Sequence, residues 1–135
     1  MNIQFNNNEL KKIILNMLCN GGLNELHYCG VALHKDKAYR KNYENARRVL
    51  EKTGEYDTIC FEDVLTQMIF MGKSLEWNDS NDGLIVGFTL HTFRRNLYES
   101  ERGSSLALDT LEGRDDAITG LDLIQIGLYG RPLYG

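Results

Sequence analysis

Arginines near a tyrosine form the pattern in this sequence most typical of a binding site. Arg94 and Arg95 are adjacent, Tyr98 follows at helical spacing, and Arg102 lies one turn further on. Guanidinium groups bind phosphate through paired hydrogen bonds, and a tyrosine ring can stack on a base. We therefore predict that Arg94, Arg95, Tyr98 and Arg102 bind a small anionic ligand or a partner. The alternative interpretation is an exposed amphipathic helix.

A second candidate surface is the cationic segment 35–52, which carries seven lysines and arginines against three carboxylates. Arg40, Arg47 and Arg48 fall off the apolar stripe of a predicted helix, so they could face an anionic partner. The whole chain is acidic, with a formal net charge of -4, and one basic helix is weak evidence for nucleic-acid binding. We do not expect nucleic acid as the partner, and a solvated helix face is the alternative.

Histidines and cysteines do not fall into spacings typical of metal sites or of catalysis. His27, His34 and His91 lie far apart in the sequence and form no metal-ligand pair. The three cysteines form no CxxC motif and are odd in number. We interpret Cys19 and Cys60, together with the third cysteine, as reduced thiols in the core of a cytoplasmic protein.

The remaining motifs of catalysis are also missing from the sequence. It contains neither a Gly-x-Ser-x-Gly elbow nor a Gly-x-x-x-x-Gly-Lys loop. The acidic pairs Glu62-Asp63 and Asp115-Asp116 each open a predicted helix, where the helix dipole stabilises carboxylates. We therefore predict no catalytic residue, no metal and no cofactor. A nucleotide-directed or phosphate-ester-directed enzyme that uses Arg94, Arg95 and a carboxylate is the alternative.

The elements are organised around residues 58–78, which predict a helix, a stop at Gly72 and a new strand. A hairpin follows, with its turn at 79–83 and with Leu84, Val86, Phe88 and Leu90 on its buried face. Before this region we predict a first helix capped by Asn7 or Asn8, a strand over Glu25–His34 and a basic helix from Asp36 to Gly54. After it we predict a short helix capped by Thr92, a loop over 100–114 and a last helix that starts at Asp115-Asp116.

Two features of the predicted core point to long-range contacts. Gln67 and Gln125 each lie inside an apolar helix, so each needs a hydrogen-bond partner across the core or across a symmetric interface. The apolar tail Leu133-Tyr134 is expected to dock on its own sheet or on a neighbouring subunit. The apolar run Leu84–Leu90 is too short to span a membrane, and the start of the chain lacks a secretion signal. We predict one α+β domain, residues 1–135, with helices packed on a small, mainly antiparallel sheet.

Several segments of the sequence resemble those of one group of proteins. The segments 61–67, 72–79, 89–93 and 116–125 are similar to those of small uncharacterised proteins encoded by bacteriophages, prophages and conjugative elements, over roughly residues 56–135. The resemblance brings no residues of known role. It implies a bacterial cytoplasm and an accessory role in a mobile element, such as inhibition of host defence or regulation.

Together these observations favour a non-enzymatic accessory protein that binds a host protein or sequesters a ligand. We expect it to form a homo-oligomer. The enzyme described above is the first alternative, and a nucleic-acid-binding regulator that uses the 35–52 helix is the second.

Overall fold

The computed structural model describes residues 4–135 and shows an α+β fold, as predicted. Helices pack around an antiparallel sheet with the strand order β1-β2-β3. None of the helices within residues 4–135 is long and apolar enough to cross a membrane. The elements in chain order are α1 (Asn7–Met17), α2 (Leu23–Tyr28), β1 (Val31–Leu33), α3 (Lys37–Thr53), α4 (Phe61–Phe70), β2 (Leu75–Asp79), β3 (Leu84–Phe88), α5 (Leu90–Glu99), α6 (Gly103–Leu111) and α7 (Ala117–Tyr129).

Local capping chemistry sets most of the helix boundaries. Asp36 caps α3 by accepting a hydrogen bond from the Tyr39 N–H, and Gly54 ends that helix in the left-handed conformation, as predicted. Asp116 caps α7 in the same way, by accepting from the Thr119 N–H. The predicted cap of α1 is wrong, because Asn6 rather than Asn7 or Asn8 accepts from the Glu9 N–H.

The cap predicted for α5 is also wrong by three residues. Thr89 is the N-cap, and Thr92 is the third residue of the helix. The Thr89 hydroxyl accepts from the Thr92 N–H while the Thr92 hydroxyl accepts from the Thr89 N–H. This reciprocal pair of hydrogen bonds is a capping box. Threonine is a common N-cap residue, so the sequence alone does not show which of the two is the N-cap.

Two predicted segments differ in kind from the structure. Of the strand predicted over Glu25–His34 only Val31–Leu33 is extended, because Leu23–Tyr28 forms α2. The loop predicted over 100–114 contains α6, whose Ala107 and Thr110 are buried. Both segments are short helices packed on neighbouring elements, so tertiary contact rather than local periodicity stabilises them.

Burial of two other predicted core groups also differs. Leu84 was expected on the buried face of the hairpin but is 60% exposed, because it begins β3 at the turn end of the sheet. Cys19 and Cys60 are exposed, whereas the sequence predicted core thiols. Cys19 lies in a kink, residues 18–22, where the chain leaves helical geometry at Asn20 and Gly21 between α1 and α2.

The last helix, α7, is the most buried element of the fold. Nine of its residues are buried, and it packs against the 18–22 kink, α5, α6 and β3. Two glycines allow this close packing. A Cβ at Gly120 would lie 3.0 Å from the Asn20 carbonyl oxygen, and a Cβ at Gly127 would overlap the Phe88 ring and lie 2.9 Å from Phe93 Cδ1.

The carboxylate of Asp79 connects the hairpin to the C-terminal residues. Asp79 is 1% exposed, at the end of β2. The hydroxyl groups of Tyr129 and Tyr134 donate to its Oδ2 at 2.7 and 2.8 Å, and the backbone and side-chain nitrogens of Asn81 donate to its Oδ1 at 3.0 Å each. Desolvation raises the pKa of Asp79, but these four hydrogen bonds outweigh it and hold the pKa below its ordinary value.

Gln125 holds the C-terminal tail against α7, so one of the two predicted glutamine contacts is confirmed. Its side-chain Oε1 accepts from the backbone N–H groups of Leu133 and Tyr134 at 2.8 and 2.7 Å, and its Nε2 donates to the Tyr134 carbonyl at 2.9 Å. Gln125 is fully buried, and these contacts satisfy it. The tail thus docks on its own chain through its backbone and Tyr134, whereas the Leu133 side chain is 44% exposed. Gln67 is half-buried on α4, and its role stays a prediction.

Replacing Asp79 with asparagine is expected to destabilise the fold by about 2 kcal/mol at neutral pH, because both tyrosine hydroxyls lose a charged acceptor. A depressed folded-state pKa contributes stability above the unfolded-state pKa, and this stability is lost as the pH falls through the folded-state pKa. The wild type should therefore lose stability below about pH 4, the ordinary carboxyl range, more steeply than Asp79→Asn. Urea unfolding at several pH values measures both effects. The exposed neighbour variant Asp82→Asn is the control, and equal losses in the two variants would contradict the role of Asp79.

Replacing Gly127 with alanine is expected to destabilise the fold by about 1–3 kcal/mol, because the added methyl group overlaps ring atoms of Phe88 and Phe93. Phe88→Leu removes part of that overlap, so the double variant should lose less stability than the sum of the two single losses. Denaturant unfolding of the four proteins of this cycle gives the coupling energy. Additive losses would show that the methyl group does not meet Phe88.

Candidate functional site

The predicted arginine cluster is spread over separate internal contacts. The Arg94 guanidinium donates to Asn7 Oδ1 at 2.7 Å, and Arg102 pairs with Asp122 at 3.2 Å. The Tyr98 hydroxyl accepts from the Phe5 N–H at 3.0 Å, which anchors the start of α1. Arg95 is exposed on α5. The Arg95 Nε–H lies 3.5 Å from the Asn96 Oδ1, so all four groups have a partner within the fold, and a ligand would have to compete with these partners.

The predicted anionic-partner surface lies on the outer side of α3. Arg40, Arg47 and Arg48 are all exposed, and Arg47 pairs with Glu51 at 3.1 Å one turn along the helix. Helix α3 packs mainly against α4. The structure therefore brings the cations of α3 to solvent on one helix, and binding of a partner there stays a prediction.

A cleft that the sequence did not predict lies between the start of α3, the start of α4 and β1. We call it the Phe61 cleft, because Phe61 lines both of its lobes. The outer lobe, of about 340 Å³, is lined by Lys35, Tyr39, Arg40, Tyr43, Glu44 and Phe61. The inner lobe, of about 510 Å³, extends from Phe61 and Lys35 to α2 and the sheet, where Leu33 and Trp77 line it. Both lobes are open to solvent, so they are surface depressions rather than enclosed cavities.

Aromatic rings form a continuous row along the outer lobe. Tyr39 and Tyr43 are one turn apart on α3, with ring centroids 5.9 Å apart, and Tyr43 lies 5.8 Å from Phe61. Both pairs are tilted by 34°. The Lys35 ammonium lies 5.3 Å from the centroid of the Phe61 ring, a cation–π distance. The row thus offers flat apolar surface directly beside a positive charge.

Local sequence features place these side chains. Asp36 caps α3 and so fixes the first turn, which sets the direction of Tyr39 and of the residue before the cap, Lys35. Phe61 is the first residue of α4, where the Asp63 carboxylate accepts from the Cys60 N–H at 3.1 Å and fixes the helix start. The rings are therefore held by residues in the first turns of two helices, α3 and α4.

The tyrosines of the cleft remain protonated at neutral pH. Burial, followed by the neighbouring Tyr43, raises the pKa of Tyr39 to about 12. Burial also raises the pKa of Tyr43, and Arg47 partly offsets this effect. Both hydroxyl groups therefore act as neutral hydrogen-bond donors or acceptors, and neither is poised to act as a base.

Trp77 contributes a donor that has no partner. It is the middle residue of β2, lies opposite Leu33 on β1 and Val86 on β3, and is 1% exposed. Its indole Nε1–H makes no hydrogen bond to any atom of residues 4–135. Buried polar groups are paired in most proteins, so this donor is an exception, and its lack of accessible surface places it within the core and out of reach of a molecule in the inner lobe.

Sequence reasoning missed this cleft although it had singled out some of its residues. Lys35 and Arg40 were counted with the cationic segment 35–52. Nothing local connects these residues to Phe61 or Trp77, which arrive from later elements. Across residues 4–135 no three histidine, cysteine or acidic side chains group as metal ligands.

Comparison with protein-family models, curated proteins and solved structures found no match to this chain.

Proposed function

We propose that this chain is a non-enzymatic binding protein that sequesters a small anionic ligand carrying a flat ring. The observation that supports the proposal is the aromatic row of the Phe61 cleft, with Lys35 placed 5.3 Å from the Phe61 ring and Arg40 on the same lobe. Aromatic walls bind flat rings, and the two cations provide the partners for a negative charge. The proposed ligand therefore has a flat ring and a negative charge.

The proposal includes an accessory role in a bacteriophage or another mobile element, in the cytoplasm of the bacterial host. This context is supported by the resemblance of the segments within 56–135 alone. A sequestering protein needs affinity without turnover, and a cleft whose tyrosines stay protonated suits that task better than acid-base chemistry. Removal of a ligand that host defence depends on is the form of inhibition that such a cleft would provide. The homo-oligomer and a host-protein partner remain predictions.

A fluorescent aromatic anion, anilinonaphthalene sulfonate, tests the cleft with a defined probe. We expect saturable one-to-one binding by the wild type, because the probe combines flat rings with one negative charge. Lys35→Ala should raise the Kd about tenfold, the effect of losing one charged partner worth about 1.4 kcal/mol. Calorimetric titration measures Kd and stoichiometry, and thermal unfolding confirms that each variant is folded.

The matched control is Lys73→Ala. Lys73 is exposed and follows the C-terminus of α4, at the opposite end of the helix from Phe61. This variant should bind the probe like the wild type. Absence of saturable binding by the wild type would contradict the proposed function, and so would an equal Kd for the two lysine variants.

A further inference from the structure

Strand β3 is an open and uncharged edge of the sheet. The strand order β1-β2-β3 leaves one side of β3 without a neighbouring strand among residues 4–135. Ile85 is 52% exposed, and Leu84–Phe88 contains no charged residue. Proteins usually protect an edge with charges, proline or a very short strand. The other edge strand, β1, spans three residues and is soon followed by Lys35 and Asp36, so of the two edges β3 is the unprotected one.

The hydrogen bonds between β1 and β2 fix which backbone groups of β2 face each neighbouring strand. The His34 N–H donates to the Glu76 carbonyl oxygen at 2.8 Å, so Glu76 directs its backbone groups toward β1. Successive residues of a strand direct these groups to opposite sides. Trp77 therefore directs its N–H and C=O groups toward β3, where Val86 is its partner.

On β3 the same alternation directs the backbone groups of Ile85 and Gly87 to the open edge. Val86 faces β2, and the residues on either side of it face away from β2. No turn, cap or loop within residues 4–135 makes a backbone hydrogen bond to Ile85 or Gly87. The edge thus presents the N–H donors and the C=O acceptors of two alternate residues.

These backbone groups are complementary to the same groups of a second copy of the chain. When two β3 strands run antiparallel with Val86 on a twofold axis, Ile85 of one copy lies opposite Gly87 of the other. Each such pair can exchange both of its N–H···O bonds, because both residues face outward. Registers centred on Ile85 or Gly87 pair fewer of the five residues of β3, so the register centred on Val86 uses the edge fully.

Side chains on both faces of the sheet also fit this register. On the solvent face, the exposed Ile85 side chain would lie beside Gly87 of the other copy, which has no side chain to block it. On the core face, Leu84 would lie opposite Phe88, so a leucine that is 60% exposed would gain an apolar neighbour. Beyond the strand, the exposed Asp82 would reach the first turn of α5 of the other copy, where the helix dipole favours a carboxylate.

We propose that β3 pairs antiparallel with β3 of a second copy about a twofold axis at Val86. Two three-stranded sheets then form one continuous sheet across the dimer. The Phe61 cleft is unaffected, because the residues that line its two lobes come from other elements. This inference goes beyond the proposed function, and neither depends on the other.

Amide hydrogen exchange of isotope-labelled protein, followed by NMR over a series of concentrations, tests the pairing. Sedimentation equilibrium gives the fractions of monomer and dimer at each concentration. The N–H groups of Ile85 and Gly87 should exchange about tenfold more slowly where the dimer predominates than where the monomer does. The Val86 N–H is the internal control. It faces β2 within each copy, so its protection should not depend on dimer formation.

A variant adds a second measurement. Ile85→Lys places a charge on the edge, as natural edge strands do to prevent pairing, so it should raise the Kd of the dimer about tenfold or more. The matched control is Val49→Lys, which replaces another exposed β-branched residue on α3 and should dimerise like the wild type. Thermal unfolding checks that both variants are folded. If Ile85→Lys does not fold, the exchange pattern of the wild type decides.

Other outcomes would overturn this inference. A chain that is monomeric at every concentration would show that the edge stays open or takes a strand of a different protein. A dimer in which Ile85 and Gly87 exchange as fast as in the monomer would have its interface elsewhere. Equal Kd values for Ile85→Lys and the wild type would lead to the same conclusion. Protection of Ile85 and Gly87 in the monomer would mean that their partner lies within the chain.

Discussion

The buried carboxylate of Asp79 is the constraint on which the arrangement of the C-terminal half depends. A carboxylate removed from water is costly unless several donors surround it. Here two donors come from Asn81 and two from the hydroxyl groups of Tyr129 and Tyr134. Those tyrosines lie at the end of α7 and in the tail. The Asp79 carboxylate therefore helps to fix both the position of α7 on the sheet and the path of the tail.

The same strand connects this network to the candidate site. Asp79 and Trp77 are alternate residues of β2, so both face the core side of the sheet. The charge at the strand end is fully satisfied, whereas the indole two residues earlier has no partner. A strand pinned at Asp79 and paired on both edges holds the indole in place within the core.

Features that depend on short stretches of chain could be predicted from the sequence. Gly72 follows α4 with φ +80°, as predicted for a helix stop, and the turn at 79–83 joins two strands, as predicted for a hairpin. The α+β class followed from these elements. Short helices such as α2 and α6 could not be predicted, since their stability comes from packing on partners distant in the sequence.

The candidate site was harder to predict than the fold for the same physical reason. The arginines at 94, 95 and 102 have types and spacing that suggest a ligand, yet Arg94 and Arg102 pair with Asn7 and Asp122 inside the fold. The Phe61 cleft is assembled from α2, β1, α3, α4 and β2, so no window of sequence contains its pattern. An unpaired indole is also visible only once every neighbour of Trp77 is known.

The Asp79 network also has a consequence for the order of folding. Its two tyrosine contacts span 50 and 55 residues, so the carboxylate leaves the ribosome well before the groups that donate to it. Until α7 and the tail are synthesised, burying the turn end of the hairpin would leave the charge only partly paired. Docking of the sheet on the core is therefore a late step that closes long loops, and such contacts slow folding. During synthesis the uncharged edge strand β3 therefore stays exposed to solvent for as long as Asp79 does.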